Sequence, residues 1–207
     1  PKGGDTTLQT IRIREIFDDF EADYFVVDAR NSGSQIVINL GKVLFDEERQ
    51  IDYSPMKAMN NDTYSGVVAD PNAKECIYTI NATQQLNSDM AYAFRRNLQE
   101  GRINFLVTPT VAKDEILLSN KDYTNELDVD KQFAYEKPFY ETQALISETA
   151  ELLYEKNPQT GTIKVHEKGA NTKDRYVAAA MGSYFIDQLE MDLVSKSSDY
   201  EYTTLIN

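Results

Sequence analysis

Two stretches far apart in the chain each deliver a carboxylate to a place where it can do chemistry. Tyr24-Phe25-Val26-Val27-Asp28 is an apolar run that closes on an acid, and Ala29-Arg30-Asn31-Ser32-Gly33 has the composition of a turn into a helix. Lys173-Asp174-Arg175-Tyr176 opens a later helical pattern with a second acid. Carboxylates brought together from separate elements are hard oxygen ligands. They suit Mg²⁺ or Mn²⁺, and through such ions the hydrolysis of phosphodiesters. Asp28 and Asp174 are thus the candidate metal ligands and catalytic residues, and they are expected to converge. Each has a second role open to it. Asp at the end of a strand also caps turns, here through the N–H groups of Asn31 and Ser32. Asp in the first turn of a helix is favoured by the macrodipole whether or not it binds anything.

Other reactive side chains are few. Cys76 and His166 are the single Cys and the single His, so a disulfide framework and a cysteine or imidazole zinc site are nearly excluded. Any metal must be oxygen-bound. His166 falls on an expected hairpin, where it either assists proton transfer or is an ordinary surface strand residue. Cys76 reads as a small buried apolar residue. Lys173 and Arg175 either balance nearby acids, touch phosphate or form a solvated charge run. Arg95 and Arg96 either meet DNA or face out of an amphipathic helix. Asp18, Asp19, Asp46, Glu47 and Glu48 read as solvated helix-end charges. Phosphate-loop, dinucleotide-turn, nucleophile-elbow and HExxH patterns do not occur, which leaves ATP hydrolysis and serine or zinc hydrolysis unsupported.

These residues need a scaffold, and the chain is long enough for one good core or two small domains at 207 residues. Thr6 or Thr7 is placed to cap a helix in which Leu8, Ile11, Ile16, Phe17 and Phe20 share a face. The run from Tyr24 to Ala29 predicts a strand covered on both sides. Ser32 or Ser34 then caps a helix with a stripe of Ile36, Val37, Leu40, Val43 and Leu44. Helix, buried strand, helix is α/β grammar. Residues 46–72 read as irregular, Glu75–Ile80 as a strand, and Leu86, Met90, Phe94 and Leu98 as a helix stopped by Gly101. A short strand is expected over 103–107, and a charged surface excursion over 113–131. Pro138 suits the first turn of the next helix. Leu153–Lys156 and Thr162–His166 flank a turn at residues 157–161 and predict a β-hairpin. The last helix starts near Thr172, burying Tyr176, Ala180, Met181, Tyr184 and Leu189, and the polar tail from Ser195 is expected to fray.

Charge sets a constraint on partners. The formal net charge is −13, whereas free-standing nucleic-acid binders cluster Lys and Arg against phosphate. A chain of this balance that acts on DNA is expected to borrow its grip from another domain or partner. No apolar run approaches bilayer length and no signal-like segment opens the chain, so a soluble, non-secreted protein without membrane partners is expected. Opening on Pro1, it is expected to be a processed or excised piece.

Taken together, the segments resemble the C-terminal nuclease domain of tailed-phage large terminase subunits. The resemblance is carried by Phe17-Asp18-Asp19-Phe20, Ala22-Asp23-Tyr24, Val26-Val27-Asp28-Ala29-Arg30-Asn31-Ser32-Gly33, Ile51-Asp52-Tyr53-Ser54-Pro55 and Lys173-Asp174-Arg175-Tyr176, in order across nearly the whole chain. It implies an α/β, RNase H-like fold: one nuclease-like domain over residues 1–207, a mixed sheet flanked by helices, with an added β-hairpin (Leu153–His166) near the site. It also implies a two-metal Mg²⁺ or Mn²⁺ site with Asp28 as second-strand acid and Asp174 as last-helix acid. The activity implied is cleavage of concatemeric double-stranded DNA in the host cell cytoplasm. Implied partners are the ATPase domain of the same terminase, the portal protein and the small terminase subunit. The family's first acidic strand and its ATPase half have no counterpart in this sequence, and Asp5 is a poor substitute for that acid. The domain is therefore expected to be N-terminally incomplete, to hold metal weakly, and to present Tyr24–Ala29 as a strand edge able to recruit another chain. A non-catalytic assembly module docking to portal or motor proteins is the alternative from another class. A resolvase- or transposase-like enzyme is a third.

Overall fold

The computed structural model describes residues 5–126, 128–169 and 172–204, the last stretch as backbone alone from 194 onward. The chain is mixed α/β and divides into two compact units, Pro1–Thr83 and Gln84–Asn207. No helix among the described residues is long and apolar enough to cross a membrane.

In the first unit, helix α1 (Thr6–Asp19) starts at Asp5, whose side chain accepts from the Thr7 N–H; the cap is Asp5 rather than either threonine. The expected apolar face is not the buried one. Phe17 is buried beside Thr10, Arg14 and Glu15, while Leu8, Ile16 and Phe20 are exposed. The reason is angular: Thr10, Arg14 and Phe17 recur at i, i+4 and i+7, one face of a 3.6-residue helix. The Arg14 guanidinium lies over the rings of Phe17 and Tyr53, at 5.5 and 5.1 Å from their centroids. Stacking and a long aliphatic stem let an arginine occupy a position that an apolar residue would be expected to fill.

Strand β1 (Phe25–Asp28) leads into α2 (Ser32–Leu40), which stops at Gly41, earlier than the apolar spacing predicts. Leu44 therefore belongs to β2 (Leu44–Asp46), which pairs antiparallel with β3 (Ile51–Tyr53), and Val43 is exposed. These strands, β4 (Met56–Ala58) and the short α3 (Asp62–Ser65) replace the irregular stretch expected over 46–72. The central strand is β5 (Lys74–Ile80), flanked by β1 and β4, both parallel to it. Among the described residues β1 is thus an edge, with Phe25 to Asp28 opposite Ile77 to Ile80. Only Val27 of β1 is fully covered, so the expectation of a strand buried on both faces along its length does not hold. The core joins Phe17, Val27, Ala29, Val37, Leu40, Met56, Cys76 and Ile77. Burying each large apolar side chain there contributes about 1.5–3 kcal/mol.

The second unit opens with α4 (Gln84–Gln99), which buries Met90, Ala91, Ala93 and Phe94, and Gly101 follows it at φ 68°. Residues 103–107 form no strand. The expected surface excursion is instead a series of helical turns: α5 (Pro109–Val111), a π turn (Ala112–Ile116), a 3₁₀ turn (Leu117–Ser119) and α6 (Lys121–Asn125). Ala112, Leu117 and Tyr123 are buried there, anchoring an otherwise polar segment. Helix α7 (Val129–Ala150) is capped by Asp128, so Pro138 lies inside it instead of in its first turn. The hairpin is where the sequence predicts it, β6 (Leu153–Lys156) against β7 (Ile163–His166). Its loop is closed by Asn157, whose side chain accepts from the N–H groups of Gln159 and Thr160, and by Gly161 at φ 74°. Helix α8 (Asp174–Thr204) is helical as far as Thr204 in the tail expected to fray, the rest of which lies outside the described residues, and it buries Phe185 and Asp187 where Tyr184 and Leu189 are expected.

Candidate functional site

Asp28 stands at the carboxyl end of β1, where ligands of open parallel sheets bind. The ladder continues one step beyond it, with Ala29 N–H donating to the Ile80 carbonyl at 2.8 Å. The chain then turns sharply. Asn31 adopts φ 51°, a left-handed value that Asn tolerates better than most residues. Gly33 is pressed against the end of the strand so closely that a Cβ would lie 1.8 Å from the Asp28 carbonyl oxygen. The glycine is what lets α2 begin there.

The side chain of Asp28 does not cap Asn31 or Ser32. It accepts from the N–H of Arg30 at 3.2 Å and from its guanidinium at 3.1 Å on Oδ1 and 3.0 Å on Oδ2. Arg30 is itself tied to the Ala82 carbonyl at 2.9 Å. This fork-on-fork pairing holds the Asp28 carboxyl below its ordinary pKa, chiefly through the hydrogen bonds from Arg30. Asp28 is therefore ionised and partly exposed, a ready oxygen ligand whose two oxygens already have a cation.

Asp174 is the first residue of α8 and is exposed. The helix start is built by its neighbours. Glu148, on α7, accepts from the Tyr176 N–H at 2.8 Å and so satisfies an orphan donor of the first turn. Arg175 pairs with Glu141 at 2.8 Å and lies 3.6 Å from Glu148, and Lys173 pairs with Glu167 at 3.1 Å. Lys173 and Arg175 thus balance nearby acids, one of the roles open to them. Asp28 belongs to the first unit and Asp174 to the second, and each surrounding is a property of its own unit.

His166 Nε2 lies 3.1 Å from Glu155 Oε2 on the facing strand. Cys76 is fully buried, and burial pushes its thiol pKa up. Arg95 and Arg96 are exposed on α4, yet Arg96 bonds Asp187. Asp18 and Asp19 pair with Arg14 and Arg49, at 3.3 and 2.6 Å. Asp46 is not a solvated helix-end charge. It is buried in β2, where Oδ1 accepts from the Glu48 and Arg49 N–H groups at 2.9 and 3.0 Å and Oδ2 from the Tyr53 hydroxyl at 3.1 Å. Those bonds, led by the Arg49 N–H, lower its pKa.

A buried carboxylate that sequence reasoning missed lies on α8. Asp187 is contacted by Arg96, by the Asn97 amide at 3.3 Å and by Arg102 at 3.4 Å. Its signal was present: Tyr176, Ala180, Ser183 and Asp187 recur at i, i+4, i+7 and i+11 along the buried face of α8. Asp187 ties α8 to the end of α4, with every oxygen engaged by nitrogen donors.

The donor chemistry of Asp28 and Asp174 fits a hard divalent cation, since both offer carboxylate oxygens that water can reach. The number of donors is small. Among the described residues no three His, Cys, Asp or Glu side chains gather so as to hold an ion. Compared with protein-family models, with curated proteins and with solved structures, the chain finds no match.

Proposed function

We propose that this chain is an RNase H-like, metal-dependent endonuclease domain of a viral genome-packaging terminase, acting on concatemeric double-stranded DNA. The observation that carries it is Asp28, an ionised, partly exposed carboxylate at the carboxyl end of a parallel strand, with a helix starting against it. Further support comes from the ordered motifs around Asp28 and Asp174, the small parallel sheet and the hairpin preceding the last helix. Asp28 and Asp174 would serve as ligands of Mg²⁺ or Mn²⁺. Such ions supply Lewis acidity toward the scissile phosphate and its attacking water. The chain's own contribution is to keep Asp28 ionised and oriented through Arg30, and to present Asp174 at the exposed start of α8. The ATPase domain of the same terminase, the portal protein and the small subunit are the partners proposed with it, in the host cytoplasm. With so few donors, metal affinity is expected to be low.

Nicking of supercoiled plasmid in Mn²⁺ tests the assignment. The wild-type chain is expected to nick slowly, and Asp28→Ala and Asp174→Ala each to fall to background. Nicking by Asp28→Ala at the wild-type rate removes Asp28 from the chemistry. Electron paramagnetic titration of Mn²⁺ reads the ligands directly: Asp28→Asn and Asp174→Asn are each expected to weaken binding. A variant that binds Mn²⁺ as the wild type does removes its residue from the ligand set.

A non-catalytic assembly module is the second proposal, favoured by the Arg30 fork on both oxygens of Asp28 and by the net charge of −13. It predicts no Mn²⁺-dependent nicking under any condition in which the chain is folded.

A further inference from the structure

Asp28 differs from the buried carboxylates in how its charge is met. Asp46 and Asp187 are 2% and 7% exposed and are enclosed together with their donors. The Asp28 side chain is 35% exposed, and that of its partner Arg30, two positions along the same turn, is 50% exposed. Water reaches both members of the pair.

The guanidinium also has a second acceptor. Nη1 donates to the Ala82 carbonyl at 2.9 Å, while Nε and Nη2 hold the two Asp28 oxygens at 3.1 and 3.0 Å. Asp28 ends β1, and Ala82 lies two residues past the end of β5, the strand paired with it. The Arg30 side chain therefore lies across the carboxyl ends of two adjacent parallel strands, where ligands of such sheets bind. An exposed pair of this kind contributes little net free energy, because water competes for both partners and two side chains are immobilised to form it. A divalent cation brings twice the charge of a guanidinium to the same oxygens. Once parted from Asp28, the guanidinium keeps its bond to Ala82 and its contact with water, so it is not left buried and unpaired.

We infer that Arg30 competes with a divalent cation for Asp28, so that the cation enters by displacing the guanidinium. Naming a cation as the competitor rests on the proposed nuclease site. The consequence is a threshold on loading. Apparent affinity is the intrinsic affinity multiplied by the fraction of molecules in which Asp28 is free of the fork. Arg30 thus regulates the site, holding Asp28 in place and lowering its occupancy at low cation concentration.

Electron paramagnetic titration of Mn²⁺ without DNA reads the competition apart from cleavage. Arg30→Gln is expected to tighten Mn²⁺ binding by about fivefold, the bias that an exposed ion pair at the upper end of its usual strength places on Asp28. In an Asp28→Asn background the same change is expected to leave the affinity unaltered, since the contested carboxylate is gone. In the wild-type chain, NMR titration with Mg²⁺ is expected to move the Arg30 Nε–H resonance and the Asp28 carboxyl carbon with one midpoint. An Arg30→Gln variant that binds Mn²⁺ as the wild type does, or more weakly, overturns the inference. So does a gain that persists in the Asp28→Asn background, or an Nε–H resonance that stays still while the Asp28 carboxyl responds. The two proposals fail separately. If plasmid is never nicked but Arg30→Gln tightens Mn²⁺ binding, the nuclease falls and the competition stands. If nicking is seen and Arg30→Gln binds Mn²⁺ as the wild type does, the competition falls and the nuclease stands.

Discussion

Arg30 reaches back two residues to grip Asp28, and the consequence can be measured as a function of pH. The folded-state pKa of Asp28 is depressed relative to an unfolded value near 3.9, so its contribution to stability is complete above that value. It is lost as pH falls through the folded-state pKa. Because the pair is substantially exposed, Arg30→Gln is expected to cost less than about 1 kcal/mol at pH 7. Urea denaturation should show that cost shrinking toward zero below about pH 4, with carboxyl NMR placing the Asp28 titration higher in the variant. A cost that stays constant down to pH 2 argues that Arg30 stabilises by packing alone. Gly33 is the sterically critical residue of the same turn. With a Cβ 1.8 Å from the Asp28 carbonyl oxygen, Gly33→Ala is expected to destabilise the fold by about 3 kcal/mol or more. A variant with an unchanged denaturation midpoint means the strand end yields easily.

Elements were legible wherever local chemistry decides them. The hairpin was readable because Asn157 and Gly161 impose their own turn, and its register needs nothing from the rest of the chain. Gly161→Ala has no steric neighbour within 4 Å, so only its φ of 74° is at stake and a cost of about 1 kcal/mol is expected from thermal melts. Helix α7 shows the opposite case. Pro138 marks a helix start by local rules, yet the helix begins nine residues earlier at Val129, after Asp128 has taken the capping role. The proline removes an N–H from the helix interior and crowds the preceding turn. Pro138→Ala is expected to stabilise the chain by about 1–3 kcal/mol, and a destabilised variant would show that the proline ring serves the packing of α7. In α1, apolar spacing points to the wrong face because it gives a charged residue such as Arg14 no weight toward burial. Aromatic rings beneath its guanidinium made that face the inner one.

Across the whole molecule the excess of acid governs the electrostatics, with 34 Asp and Glu against 21 Lys and Arg. Like charges at this density repel one another and disfavour the compact state, and added salt screens them within about 8–10 Å. The melting temperature is therefore expected to rise by a few degrees between about 20 and 200 mM NaCl. A steady fall over that range means that specific ion pairs, such as Arg96 and Arg102 on Asp187, outweigh the general repulsion.

Composition and short-range pattern were enough to establish an α/β chain, a strand closing on Asp28, a helix opening at Asp174 and a hairpin before it, because each depends on neighbours within a few positions. The burial of Arg14, Asp46 and Asp187 and the Arg30 fork on Asp28 were decided only by tertiary structure. A charged residue can be buried when donors from distant positions, or from a tight turn, arrive to satisfy it. Sequence spacing records where such a residue sits on its own element, and the fold supplies the partners that make its place inside tolerable.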